Sequence, residues 1–261
     1  MSAPTLTSAP ATQINPAPDR VDGLAANTPA LSLKVGGVTP FSATDYPGQL
    51  AAVVFVQGCP WRCGYCHNPH LQTRTARSPV PWSDVLALLQ RRVGLIDAVV
   101  FSGGEPTMDP ALAGAMRAVR ALGFGVGLHS AGMYPRRLAE VLPLVDWVGL
   151  DIKSSWPRYD AITGIVDSAR QARAGAELVL ASGIAYECRS TVHPALHSEA
   201  DILALAQDLQ AMGVRHYVLQ VFRSTGCGDA QLNNVSTLAY PGAELLAQIA
   251  PMFDTFSLRQ A

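Results

Sequence analysis

Residues 51–68 read Ala51-Ala52-Val53-Val54-Phe55-Val56-Gln57-Gly58-Cys59-Pro60-Trp61-Arg62-Cys63-Gly64-Tyr65-Cys66-His67-Asn68. The first six residues form a short apolar run with β-branched side chains, the pattern of a strand. Three cysteines follow at once, spaced C-x3-C-x2-C among Gly, Pro, Arg and Asn, which are residue types of an exposed polar loop. The strand therefore delivers three thiols, close together, to its C-terminal end.

Beyond this stretch the same kind of run recurs at 98–101, 125–128, 147–150, 185–192 and 216–221, with a closing strand expected at 255–258. Segments of helical period lie between them, at 82–92, 111–122, 136–142, 168–182, 199–212 and 242–252. Asp109 before Pro110 reads as a helix start, Gly123 as a helix stop and Ser198 as a cap for Glu199 onward. Six strand-then-helix units imply an α/β protein with a parallel sheet, curled into a full or partial barrel or left open and doubly wound. In both arrangements chemistry gathers at the C-terminal ends of the strands.

The chain has 261 residues, 49% hydrophobic and 15% charged, with a formal net charge of -1. Residues 31–261 are expected to form one catalytic domain. Residues 1–30, rich in Ala, Pro and Thr, are expected to form a flexible tail, since ordering them would cost more entropy than burial returns. Near-neutral charge argues against nucleic acid or an anionic membrane as partner. No apolar run approaches the roughly 20 residues of a membrane-spanning helix. The start of the chain lacks a secretory pattern, which places the protein in the cytoplasm, where thiols stay reduced. Its five cysteines, three of them clustered, then read as ligands.

A structural zinc site needs four ligands in a closed tetrahedron, and His67 abuts Cys66 too closely to aim at the same ion readily. Cys59, Cys63 and Cys66 suit a 4Fe-4S cluster with one iron left open, as a catalytic cluster requires. Ser102-Gly103-Gly104-Glu105-Pro106 after the second strand is a turn whose glycines let backbone approach a ligand closely. Asp151 and Lys153 share one face of the fourth strand, and Glu187, Arg189 and Thr191 share one face of the fifth, which His193 continues. Unpaired, such groups would be costly to bury. Cys188 reads as buried packing, and Cys227 lies in a Gly-rich segment read as a mobile loop over the open barrel end.

The C-x3-C-x2-C loop, with the aromatic Tyr65 before its third cysteine, resembles that of the radical S-adenosylmethionine (radical SAM) superfamily. The resemblance implies a partial (β/α)6 TIM-like barrel. It also implies a 4Fe-4S cluster that chelates S-adenosyl-L-methionine and cleaves it reductively to a 5'-deoxyadenosyl radical. By the same resemblance Gly103, Gly104 and Glu105 match the segment that receives the methionine amino group. Asp151 and Lys153 match a D-x-K element near the cofactor's carboxylate or ribose, and Tyr65, Ser130, Arg189 and His193 join the cofactor-binding set.

Residues 36–48, with Phe55-Val56-Gln57-Gly58-Cys59-Pro60 and Cys66-His67-Asn68-Pro69, look like activating proteins of anaerobic ribonucleoside-triphosphate reductase. That likeness implies a glycyl-radical enzyme as partner, and an electron donor such as flavodoxin or ferredoxin. A radical enzyme acting on a small molecule, such as a modified-nucleoside precursor, is the alternative. A non-catalytic metal scaffold is the third reading, and it has no need for Gly103, Gly104 and Glu105.

Overall fold

The structure, a computed structural model, describes residues 32–260. The expected tail at 1–30 lies outside the described residues. Eight strands and eight α-helices follow in order: β1 (Val35–Ser42), β2 (Ala51–Val56), α1 (Trp82–Gln90), β3 (Ala98–Gly103), α2 (Leu112–Ala121), β4 (Gly125–Ser130), α3 (Pro135–Val141), β5 (Trp147–Asp151), α4 (Tyr159–Thr163), α5 (Ser168–Ser182), β6 (Ala185–Val192), α6 (Glu199–Ala211), β7 (His216–Val221), α7 (Ala230–Asn233), α8 (Ala243–Ile249) and β8 (Thr255–Arg259).

The strands form one sheet in the order β1 to β8, with β1 antiparallel to β2 and every later neighbour parallel. Since β1 and β8 are its two edges, the sheet stays open as a partial barrel with six βα units and a closing strand. Among the described residues no helix is long and apolar enough to cross a membrane.

Alternation along each strand divides the side chains between two faces. Val54, Val56, Phe101, Leu128 and Leu150 turn outward and pack with helix residues such as Leu89, Met116, Leu138, Val179 and Leu205 in the main core. On the inner face Ala51, Val53, Ala98 and Val100 form a smaller apolar cluster with Tyr46 and Phe55. A strand buried on both faces reads as a continuous apolar run, which is why these strands are visible in the sequence.

The expected punctuation holds at Gly123 and Ser198, whereas α2 starts later than Asp109 and Pro110 imply, at Leu112 after Ala111, and Asp109 instead ties down the turn before it. Asp109 Oδ1 accepts the Ala111 N–H at 2.9 Å, and its other oxygen takes the Lys34 N–H and the Arg74 guanidinium, each at 3.0 Å. Ser198 and Asp201 cap α6 reciprocally. Strand β1 was not among the expected strands. It contains Gly36, Gly37 and Pro40, which weaken a strand signal but are tolerated at an edge, where only one side is paired. Helices α4 and α7, of five and four residues, are too short to show a period.

Candidate active site

The thiol loop grows from the end of β2 and is closed at its base by backbone. Gly58 N–H donates to the Leu71 carbonyl at 2.7 Å and Cys59 N–H to the Gln72 carbonyl at 3.1 Å. Arg62 N–H reaches the Thr163 carbonyl at 2.7 Å, and its guanidinium donates to the carbonyls of Cys59 and Trp61. Cys59, Cys63 and Cys66 are free and half-buried, while Cys188 and Cys227 are buried. A cavity of 630 Å³ adjoins the loop, lined by Arg62, Cys63, Cys66, Gln72, Asp229 and Gln231 among others.

Burial, followed by the Glu105 carboxylate, pushes the Cys59 thiol up to about 12. Burial also raises Cys63, against the opposing charge of Lys153. Glu105 from the β3 end and Lys153 beyond the β5 end therefore act on the thiols of the β2 loop. The motifs separated in sequence meet at one end of the sheet.

Gly103 and Gly104 owe their place to close backbone packing. At Gly103, with φ of 112°, a Cβ would lie 2.5 Å from the Val56 nitrogen, and at Gly104 one would lie 2.4 Å from the Gly58 carbonyl oxygen. Without side chains the turn lies against the root of the thiol loop, where Glu105 N–H donates to the Gly58 carbonyl at 2.7 Å. Glu105 is buried and its oxygens are already engaged. Oε1 accepts from the Thr107 amide, the Thr107 hydroxyl and the Ser130 hydroxyl, and Oε2 accepts the Ala131 N–H at 2.9 Å. Burial raises its pKa even against these donors. Ser130, which also accepts the Gly132 N–H, thus serves Glu105 and the β4 turn in this structure.

Asp151 and Lys153 pair as the alternation implies, Nζ to Oδ2 at 3.2 Å. Arg189 joins them from β6, donating through Nε to Asp151 Oδ1 at 2.9 Å. Two cations share one carboxylate, leaving one positive charge in surplus. The carboxyl group, although penalised by burial, is held well below its usual range by Arg189 and then Lys153. Glu187 makes its own bidentate pair with Arg259 at 2.7 and 2.8 Å.

His129 belongs to this constellation and was missed. Its Nε2 lies 3.0 Å from Arg189 and 2.8 Å from the Asp45 carbonyl, and Nδ1 lies 3.3 Å from the Ser102 hydroxyl. Burial, and then Arg189, lower its pKa to about 4. The expected third strand ended at Leu128, and one further residue of alternation would have set His129 on the inner face.

His193 is placed differently from expectation. It is fully buried, and both ring nitrogens are engaged within the chain: Nδ1 accepts the Ala195 N–H at 3.0 Å and Nε2 donates to the Leu232 carbonyl at 3.1 Å. Cys227, expected on a mobile loop, is buried with its Sγ 3.6 Å from the Gly64 carbonyl. Tyr65 is buried, and its hydroxyl has no hydrogen-bond partner.

The donor set fits a cluster better than a lone ion. Among the described residues no three His, Cys, Asp or Glu side chains converge closely enough to hold one metal ion, whereas three free thiols share one loop beside a cavity. The orphaned Tyr65 hydroxyl and the surplus positive charge at Lys153 and Arg189 fit an anionic, hydrogen-bonding ligand beside those thiols.

Comparison with known proteins bears on the family and the fold. The family model described as the Radical SAM superfamily matches residues 53–209, more than half of the chain. A Methanocaldococcus jannaschii protein named for glycyl-radical enzyme activation is 26% identical over 211 residues, covering 77% of this chain and 85% of the relative. The pyruvate formate-lyase-activating enzyme of Clostridium pasteurianum is 31% identical over 137 residues, covering 50% of this chain and 57% of the relative. The crystal structure of Streptococcus suis SuiB bound to S-adenosylmethionine aligns with a TM-score of 0.58 at 15% identity, over 78% of this chain and 48% of that one, and so supports the fold.

Proposed function

Because the chain belongs to the radical SAM superfamily, whose enzymes use a 4Fe-4S cluster and S-adenosylmethionine, we propose that it installs a glycyl radical on a partner enzyme, specifically an anaerobic ribonucleoside-triphosphate reductase. Cys59, Cys63 and Cys66 would hold the cluster, leaving one iron for the cofactor. When bound, the pair supplies one-electron cleavage of the sulfonium to methionine and a 5'-deoxyadenosyl radical, which takes a hydrogen atom from the substrate.

The observation that carries this reading is the meeting of the thiol loop of β2 with the Asp151, Lys153 and Arg189 set of β5 and β6. One uncompensated positive charge beside the thiols suits the cofactor's carboxylate. Gly103 and Gly104 bring the β3 turn against the base of the loop, and Glu105 holds that turn to β4. Tyr65, within the thiol loop, carries a buried hydroxyl with no partner of its own. Activation of a protein substrate is supported by the names of the similar relatives. A reduced flavodoxin or ferredoxin would supply the electron, in the cytoplasm.

The test is anaerobic reconstitution with iron and sulfide, reduction, and quantification of 5'-deoxyadenosine from S-adenosylmethionine for wild type and Cys63→Ala. The product is expected from wild type alone. Addition of an anaerobic reductase should then give a glycyl-radical doublet in spin resonance. Product formation without the doublet, but with turnover of a nucleoside precursor, would assign the small-molecule reading instead.

A further inference from the structure

The segment after β7, residues 222–234, lies across the thiol loop and touches it at several points. Phe222 stacks on His67 with ring centroids 5.5 Å apart, and the Arg223 carbonyl lies 3.0 Å from His67 Nε2. Gly226, with φ of 89°, passes so close that a Cβ would sit 2.5 Å from the His67 carbonyl oxygen. Cys227 meets the Gly64 carbonyl, and Leu232 packs with Tyr65. Every contact falls on the stretch that carries Cys63 and Cys66.

One side chain holds this segment from behind. The Ala195 amide can only donate, so His193 Nδ1 is the acceptor and the ring proton is on Nε2, where it donates to the Leu232 carbonyl. The same ring packs edge-on against Phe222 with centroids 4.8 Å apart. With both nitrogens used and no exposed surface, His193 has nothing left to offer a cofactor.

We propose that His193 is a positioning residue for the thiol loop: through Leu232 and Phe222 it presses residues 222–234 onto His67, Gly64 and Tyr65, and so governs how long the loop retains its cluster. The proposal rests on the reading of that loop as a cluster site. Its first readout does not.

The test compares wild type, His193→Phe and His193→Gln as full chains. Phenylalanine keeps the ring against Phe222 but removes the donor, whereas the glutamine amide can restore it. In metal-free protein, trypsin should cut after the exposed Arg223 about tenfold faster in His193→Phe, the effect of leaving one buried carbonyl unpaired. After reconstitution, iron should pass to a chelator about tenfold faster as well, with His193→Gln near wild type in both assays. A folded His193→Phe with wild-type proteolysis and iron retention overturns the proposal, and weakened S-adenosylmethionine binding alongside would make His193 a cofactor contact. If wild type takes up no iron, the cluster reading fails while the proteolysis result still stands. Should His193→Phe fail to fold, Gly226→Ala strains the same contact from the segment's side, and unchanged proteolysis there overturns the proposal equally.

Discussion

Arg189 Nε donates to Asp151 Oδ1 at 2.9 Å, and Lys153 holds the other oxygen of the same carboxylate at 3.2 Å. The three side chains come from the ends of two neighbouring strands, with Asp151 and Arg189 in direct register. Removing the carboxylate leaves two cations facing each other. Removing Arg189 leaves a neutral Asp151–Lys153 pair. Asp151→Asn should therefore destabilise the fold by about 3 kcal/mol and Arg189→Met by about 1 kcal/mol, since the penalty lies in the uncompensated buried charge. Denaturant titration of both variants checks the order. Arg189→Met should still weaken S-adenosylmethionine binding.

The pH dependence of stability should carry the mark of His129. Its folded pKa of about 4 lies below the ordinary 6.5, so between these values the unfolded chain binds a proton that the folded chain refuses. Stability is complete above 6.5 and falls as the pH drops through this window, by about 2 kcal/mol at pH 5. Asp151 is shifted in the same direction, a lowered carboxylate, and its contribution is lost only as the pH falls below the ordinary carboxylate range. Melting curves from pH 7.5 to 4.5 should show the loss, and His129→Gln should flatten it.

Cluster loading should release protons. The Cys59 thiol, pushed up to about 12 by burial and by Glu105, is protonated at neutral pH, and a metal ligand must be a thiolate. Iron uptake during reconstitution should rise between pH 7 and 8.5, with proton release visible in weakly buffered solution. Glu105→Gln removes the nearby charge and should move the uptake curve to lower pH. It also places an amide donor among groups that already donate to Glu105, so the variant should lose about 1–3 kcal/mol of stability.

Gly104→Ala should separate loop placement from overall folding. Its Cβ would lie 2.4 Å from the Gly58 carbonyl oxygen, directly at the root of the thiol loop. Iron bound per chain should fall severalfold while circular dichroism stays near wild type. Full iron loading in this variant would show that the loop tolerates displacement of its base.

Much of the site was legible because its parts are local. The spacing of Cys59, Cys63 and Cys66 lies within one loop, the Gly103-Gly104-Glu105 turn within another, and alternation alone set Asp151 beside Lys153. The strands were legible for a similar reason, since burial on both faces makes each a compact apolar run. Strand β1 was hidden by Gly36, Gly37 and Pro40, and α4 and α7 by their brevity.

The order of residues alone supplies the chemistry available: three thiols in a single loop, an alternating βα chain to present them, and polar groups at the strand ends. The tertiary structure alone decided how those groups are spent. Parallel register brought Arg189 to Asp151 and His129 to Arg189, and turned His193 away to the Leu232 carbonyl. Glu105 and Ser130 were committed to each other across 25 positions of chain. Local pattern fixes which face a side chain takes, but a buried polar group must find its partner wherever the fold brings one within reach, and that partner is set by contacts far apart in sequence.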